Sequence, residues 1–276
     1  MEAKLINLDD FVHSGEGFNG ESLNHRTNPA IMAKLYNATA DPKSVLNELE
    51  FAHKVYDLGI PTPKPGEFIT DGNGRYGIMF ERIVDKKSFS RACGDDPAGV
   101  EGYARRFARL CLILHSTCPP KDTFHNVKDL YRGILDSSTF YTEGEERWLR
   151  KIIDETPDRP GAIHGDLQFS NAIMAGGKDY FIDLGDFAYG HPYFDLGMVL
   201  FTCLYDNEEF LKECFHMDKS TAAAFWHWFV KEYFGQDADP DAIELELRPY
   251  AALKLLIIEK SSGQALPEYH WMIQSI

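Results

Sequence analysis

His164-Gly165-Asp166-Leu167-Gln168-Phe169-Ser170-Asn171, followed by Phe181-Ile182-Asp183-Leu184-Gly185-Asp186, is the stretch on which the reading of this chain turns. It places one carboxylate, Asp166, five residues before an amide, Asn171, and a second carboxylate, Asp183, twelve residues after that amide. Between them run Ala172-Ile173-Met174, then Ala175-Gly176-Gly177-Lys178-Asp179, then Tyr180-Phe181-Ile182. An apolar run, a Gly-Gly turn and a second apolar run predict strand, turn, strand. Such a hairpin brings Asn171 and Asp183 to the same end of a ribbon, with Asp166 on the loop leading into it. Asp and Asn are also ordinary turn residues, and His-x-Asp alone says little. The spacing to Asn171, and from there to a strand ending in Asp183, carries the argument.

Three oxygen-bearing side chains converging on one spot suit a hard divalent cation such as Mg2+, which takes oxygen ligands and keeps substrate phosphates in its shell. A carboxylate beside such a cation can accept the proton of an attacking hydroxyl. These are the parts that phosphoryl transfer needs. H-G-D-L-Q-F-S-N with I-D-L-G-D resembles the aminoglycoside phosphotransferase and choline kinase group of protein-kinase-like small-molecule kinases. The resemblance implies an α+β, bilobal protein-kinase-like fold. A small antiparallel-sheet N-lobe over residues 1–82 binds the nucleotide, and a larger, mainly helical C-lobe over 83–276 carries catalysis and acceptor binding.

Composition is that expected of an ordinary soluble globular protein. The 276 residues are 44% apolar and 26% charged, enough for two lobes with a buried core. A net charge of -15 argues against a broad basic face for nucleic acid. Cys93, Cys111, Cys118, Cys203 and Cys214 form no C-x-x-C pair, and their odd number fits free thiols in a reducing compartment. Glu2, Lys4, Asp9 and Asp10 deny the N-terminus a signal-peptide core, and the apolar run Leu255 to Ile258 is too short to span a membrane. The expected location is cytoplasmic.

In the first lobe, Gly15-Glu16-Gly17-Phe18-Asn19-Gly20 is a G-x-G-x-x-G string. Glycines let backbone N–H groups approach phosphates closely. No long helix pattern follows, so a strand-turn-strand flap fits better than a dinucleotide-binding turn. Ala30 to Tyr36 is an apolar run holding one lysine, Lys34. A lysine in a half-buried strand requires a partner. In a kinase-like lobe it reaches the nucleotide phosphates and pairs with a helix glutamate. The next helix starts with Ser44 as its expected cap and ends at Gly59. Its stripe of Val45, Leu49, Ala52, Val55 and Tyr56 contains Glu48, whereas Glu50 falls on the opposite face, so Glu48 is the chosen partner. After a hairpin around Asp71-Gly72-Asn73-Gly74, the resemblance places the nucleotide base against the backbone of Glu81 to Ile83.

In the second lobe, Val100 to Ser116 reads as an amphipathic helix, and Leu130 to Leu135 and Glu145 to Ile153 as further helical pieces. His115 and His164 are read as structural residues, His164 holding its loop by hydrogen bonds. The resemblance assigns Asp195 the bracing of the Asp166 loop through backbone N–H groups. Asp218 and Asp239-Pro240 open two C-terminal helices, the second expected to break near Pro249 and resume to Lys260. Glu208, Glu209, Glu244 and Glu246 are acids that could face a cationic acceptor. About a dozen residues separate Asp183 from the Asp195 helix and no A-P-E follows, which leaves no platform for a peptide.

The expected activity is therefore Mg2+-dependent transfer of the γ-phosphate of ATP or GTP to a hydroxyl of a small molecule resembling an aminoglycoside, amino-alcohol or sugar. Asp166 is the expected base and Asn171 and Asp183 the metal ligands. Gly15, Gly17, Gly20, Lys34, Glu48, Glu81 and Ile83 are the expected nucleotide-site residues. The expected partners are the nucleotide and the acceptor, with no nucleic acid or membrane. The alternatives are a kinase-like module that binds without catalysis, a protein kinase acting on a peptide, and a metal hydrolase using His164 and Asp166.

Overall fold

The protein is described by a computed structural model covering residues 2–17 and 20–274. The chain forms two compact units, Met1–Lys86 with Met174–Gly185, and Lys87–Ile173 with Asp186–Ile276.

The first unit is built on a six-stranded sheet. Its strands are β1 (Lys4–Leu5), β2 (Phe11–Gly17), β3 (Gly20–His25), β4 (Ile31–Tyr36), β5 (Pro65–Thr70) and β6 (Tyr76–Glu81), in the spatial order β1-β5-β6-β4-β3-β2. The β1–β5 pair is parallel, and the β2–β3, β3–β4, β4–β6 and β5–β6 pairs are antiparallel. Alternation along β4 sends its residues to two cores. Ala33 and Leu35 join Ile6, Phe11, Leu23 and Ile69 on one face. Tyr36 joins Phe68 and Ile78 on the other, beneath α1 (Pro42–Asp57), which contributes Val45 and Leu49. Lys34, two residues before Tyr36, therefore faces the helix.

The N-cap of α1 is Asp41 rather than Ser44. Pro42 at the first helical position has a preset φ and no N–H to satisfy. The Asp41 side chain accepts from the Lys43 N–H, and the Ser44 hydroxyl, already inside the first turn, donates to Asp41.

The second unit holds β7 (Lys87–Ser88), α2 (Phe89–Asp95), α3 (Val100–Ser116), α4 (Val127–Ser137), α5 (Glu143–Glu155) and β8 (Gly161–Ile163). β9 (Ala172–Ala175) carries the chain back to the first unit, where β10 (Lys178–Phe181) follows. Gly176 and Gly177, at φ 55° and 77°, make the turn between them as the sequence predicts. The Phe181 N–H donates to the Pro61 carbonyl at 2.8 Å, tying this hairpin to the first unit.

The second unit resumes with β11 (Ala188–Gly190), antiparallel to β8, then α6 (Tyr193–Leu200) and one π-helical turn over Phe201–Tyr205. α7 (Glu208–Phe215), α8 (Lys219–Tyr233), α9 (Pro240–Ser262) and α10 (Trp271–Gln274) complete it. α3 packs on α8 and α6 on α9. Gly197 permits the second contact, because a Cβ there would stand 2.4 Å from the Tyr250 backbone.

The expected break at Pro249 does not occur, and α9 runs through it as one helix of 23 residues. Proline removes the hydrogen bond to the carbonyl four residues earlier. That carbonyl belongs to Leu245, a residue 60% exposed, so the freed oxygen is on a solvated side of the helix.

Beyond α9 the chain is held by a buried polar cluster. Glu259, fully buried, accepts from the Tyr141 hydroxyl, the Leu266 N–H and His270 Nε2, and His270 Nδ1 lies 3.0 Å from Glu145.

Candidate active site

In the second unit, the loop after β8 alternates buried and half-buried residues. Leu167 and Phe169 are fully buried, Phe169 against Phe215 and Phe225, and the Ser90 N–H donates to the Phe169 carbonyl at 3.1 Å. Pinning these two apolar side chains leaves Asp166 and Gln168 on the other side of the loop, partly exposed. Gly165, at φ 88°, makes the bend, and a Cβ there would stand 2.3 Å from the Asp186 carbonyl oxygen.

The bend is braced from α6. Asp195, 1% exposed, accepts from the His164 N–H at 2.7 Å and the Gly165 N–H at 3.0 Å. His115 Nε2 lies 3.1 Å from the same carboxylate, and His115 Nδ1 lies 2.7 Å from the Tyr233 hydroxyl. With Nε2–H donating to Asp195 and Nδ1 accepting from the Tyr233 hydroxyl, both ends are satisfied. His164 is fully buried, and its Nδ1 accepts from the Asp166 N–H at 3.3 Å. Both histidines are thus held as structural residues.

Asp166 is ringed by donors. Gln168 Nε2 and Asn171 Nδ2 each donate to its Oδ2 at 2.9 Å, and Lys254 Nζ lies 3.1 Å from Oδ1. Asn171 Nδ2 also reaches the Asp166 backbone carbonyl at 3.0 Å. With its amide nitrogen so engaged, Asn171 keeps its carbonyl oxygen for another partner. Burial alone raises the pKa of Asp166, but the Lys254 charge and hydrogen bond, with help from His164 and Gln168, hold it below the usual carboxylate range. Asp166 is therefore ionised at neutral pH and able to accept a hydroxyl proton.

In the first unit, Lys34 Nζ lies 3.1 Å from Glu48 Oε1, which also accepts from the Tyr36 hydroxyl. Burial, the Glu48 hydrogen bond and charge, and the Asp183 charge push the Tyr36 phenol well above its ordinary pKa. The Asp183 charge is thus felt at Tyr36, the smallest of these influences. Asp183 follows β10 two residues beyond its end, in a left-handed conformation at φ 61°. Asn171 immediately precedes β9.

Gly15 and Gly17 on β2 and Gly20 on β3 flank the flap, with Gly17 paired to Gly20. A Cβ on Gly20 would stand 2.3 Å from the Leu35 carbonyl oxygen. Phe18 and Asn19 of the glycine string lie outside the described residues. Glu81 ends β6, where its N–H donates to the Lys64 carbonyl at 2.9 Å, and Ile83 follows it, half-buried.

Two side chains at these groups carry no sequence signal: Tyr36 and Tyr233 belong to no motif. Lys254 did leave one, since it interrupts the run Ala251-Ala252-Leu253-Lys254-Leu255-Leu256 and so demanded a partner, as Lys34 did.

Asn171, in the second unit, offers an amide carbonyl oxygen and Asp183, in the first, a carboxylate, each an oxygen of the kind Mg2+ accepts. Among the described residues, no group of three or more His, Cys, Asp or Glu side chains forms a protein-only metal cage. All five cysteines are free. Among the described residues, no helix is long and apolar enough to cross a membrane.

Residues 23–228 match the sequence model of the phosphotransferase enzyme family, APH. No curated protein matches the chain. Among solved structures it is similar to a thermostable mutant of the aminoglycoside phosphotransferase APH(4)-Ia in ternary complex with ADP and hygromycin B. That match has a TM-score of 0.64 at 11% identity and covers 96% of this chain and 91% of the other. It is similar to the amicoumacin kinase hAmiN in complex with AMP-PNP, Ca2+ and Ami, with a TM-score of 0.58 at 13% identity over 99% and 88% of the two chains. A choline/ethanolamine kinase family protein from Mesorhizobium loti gives a TM-score of 0.55 at 14% identity over 96% and 84%. These likenesses show the fold: an N-terminal, mostly antiparallel sheet and a helical C-terminal part, as in kinase-like proteins.

Proposed function

Since the chain belongs to the phosphotransferase enzyme family, we propose that it moves the γ-phosphate of ATP or GTP to a hydroxyl of a small molecule, with Asp166 as catalytic base. The observation that carries this reading is the state of Asp166: ionised, fixed at Oδ2 by Gln168 and Asn171, on a loop braced by Asp195. Such a carboxylate can align an incoming hydroxyl and take its proton as the bond to phosphorus forms.

The other assignments rest on the resemblance and on donor chemistry. Lys34, oriented by Glu48, holds the nucleotide phosphates, and Gly15, Gly17 and Gly20 allow the flap backbone to approach them. Glu81 and Ile83 meet the base through their backbone. Asn171 and Asp183 are the residues that would ligate Mg2+, and the cation would offset negative charge on the transferring phosphates. The acceptor is a small hydroxylated compound and the site of action cytoplasmic. The nucleotide and cation in the complexes cited above belong to those proteins and support this reading by analogy.

Asp166→Asn tests it. The amide preserves shape and loses basicity, so transfer falls by about 100- to 10,000-fold while magnesium-ATP binding, measured by calorimetry, persists. Transfer at the wild-type rate by the variant refutes the assignment.

A further inference from the structure

Lys254 is a cation placed against the proposed base, and it lies outside both the motif around Asp166 and the residues matched to the family, 23–228. It comes from α9, at a sequence separation of 88 from Asp166, with its side chain only 11% exposed. A nearly buried ammonium on a catalytic carboxylate constrains what else can sit there.

The two Asp166 oxygens are unequally occupied. Oδ2 already accepts two N–H bonds, from Gln168 and Asn171, whereas among the described residues Oδ1 has one donor, Lys254. A carboxylate oxygen accepts about two hydrogen bonds, so an acceptor hydroxyl finds its place on Oδ1. With Lys254 at 3.1 Å from Oδ1 and a hydroxyl hydrogen-bonded there, the hydroxyl oxygen lies within about 6 Å of the ammonium. Whatever is bonded to the carbon beside that hydroxyl comes within reach of Lys254.

Three of the four acids that could welcome a cationic acceptor are engaged elsewhere, and the fourth, Glu209, is exposed in the first turn of α7. Glu244 accepts from Tyr205 and Arg248, Glu246 from Tyr193, and Glu208 pairs with Lys212. A second lysine, Lys219, reaches the carbonyls of Leu204 and Asp206.

We propose that Lys254 is a specificity-determining residue, selecting an acceptor whose reacting hydroxyl has an anionic group, a carboxylate or phosphate ester, on the neighbouring carbon, and rejecting one with an ammonium there. The inference rests on the phosphotransferase reading and on Asp166 as its base. Lys254, which already meets Met198 Sδ at 2.7 Å, stays paired with Asp166 when the anion arrives and gains a second anionic partner, whereas an ammonium meets like charge.

The test uses full-length protein with magnesium-ATP and three acceptors of one carbon skeleton: glycerate, glycerol and 3-aminopropane-1,2-diol. ADP release gives kcat and KM for wild type, Lys254→Gln and Lys254→Arg. Calorimetry gives binding of each acceptor to the enzyme loaded with a non-hydrolysable ATP analogue. The expected wild-type preference for glycerate over the amine is about tenfold or more, carried mainly by KM and binding. It shrinks to within about threefold in Lys254→Gln and returns in Lys254→Arg. An amine handled as well as glycerate by wild type overturns the inference, as does a preference unmoved in Lys254→Gln. So does a panel in which no acceptor binds wild type and variant differently. In each of these cases magnesium-ATP binding and Asp166-dependent turnover still stand if the phosphotransferase reading is right. Wild-type protein that binds no magnesium-ATP breaks that reading itself, and this inference with it.

Discussion

Replacing Asp195 by Asn should loosen the loop that carries Asp166, and the size of the effect follows from three bonds. Oδ2 of Asp195 serves the His164 N–H and His115 Nε2, and Oδ1 serves the Gly165 N–H. An Asn amide can reproduce one oxygen. With that oxygen in the Oδ2 position, the amide nitrogen faces the Gly165 N–H, donor against donor, and the opposite orientation strands the other two donors. At least one buried N–H thus loses an anionic acceptor, a cost of about 2–3 kcal/mol at the bend. Removing a buried charge returns some desolvation energy to the whole protein, so the melting temperature is the weaker readout and amide exchange the decisive one. A local loss of about 2–3 kcal/mol corresponds to roughly 30- to 150-fold faster exchange at Gly165. Transfer activity should fall alongside, because Asp166 follows directly in sequence. Wild-type protection of the His164 and Gly165 amides in the Asn variant would refute the bracing argument, whatever the melting temperature does.

Two further outcomes are expected. Lys34→Met should change stability by less than about 1 kcal/mol, because the Lys34–Glu48 pair is about a third exposed and Glu48 keeps Tyr36 as a donor. The same variant should weaken magnesium-ATP binding by about tenfold or more, the loss expected for a charge-assisted phosphate contact, and an unchanged calorimetric affinity would remove Lys34 from the nucleotide site. Asp206, 7% exposed, has its pKa raised by burial to about 7, against the lowering influence of Lys254 and Lys219. Between its unfolded pKa of about 4 and this value the folded state binds the extra proton, so stability falls as pH rises and the full penalty is in place above pH 7. Asp206→Asn should therefore gain up to about 4 kcal/mol on wild type at pH 8, with the gain shrinking toward pH 4. Urea titrations at pH 5 and pH 8 that show parallel behaviour of the two proteins would exclude the effect.

What could be read in the linear chain was what depends on local rules. The β9–β10 hairpin follows from Gly176 and Gly177 between two apolar runs, and α3 starts and stops where the Val100 to Ser116 pattern does. The Lys34–Glu48 pair was legible because a charge in an apolar strand needs a partner and helix phase leaves only one glutamate on the inner stripe. Local rules misled in two places. Ser44 resembled a cap, but Pro42 fixes the helix start so that Asp41 takes that role. Pro249 resembled a break, but packing of α6 against α9 holds the helix through it, with the orphaned carbonyl at exposed Leu245.

The contacts that define the chemistry of Asp166 are of another kind. Its partner Lys254 is 88 residues away and the His115–Asp195 contact spans 80, separations at which periodicity says which face is buried but not what it meets. The sequence does contain half of each pairing, as a charged residue in an apolar run or a histidine near a helix end. The unstated half is the identity of the partner, which depends on where Gly197 lets α9 lie against α6. A larger residue at Gly197 would displace the Tyr250 backbone, one helical turn before Lys254. The close approach of two helices and the charge on the base are thus coupled through one missing side chain. That coupling explains why the motif surrounding Asp166 can indicate phosphoryl transfer while remaining silent on the acceptor. The motif residues lie on the loop after β8, and the residue proposed to choose the acceptor lies on α9.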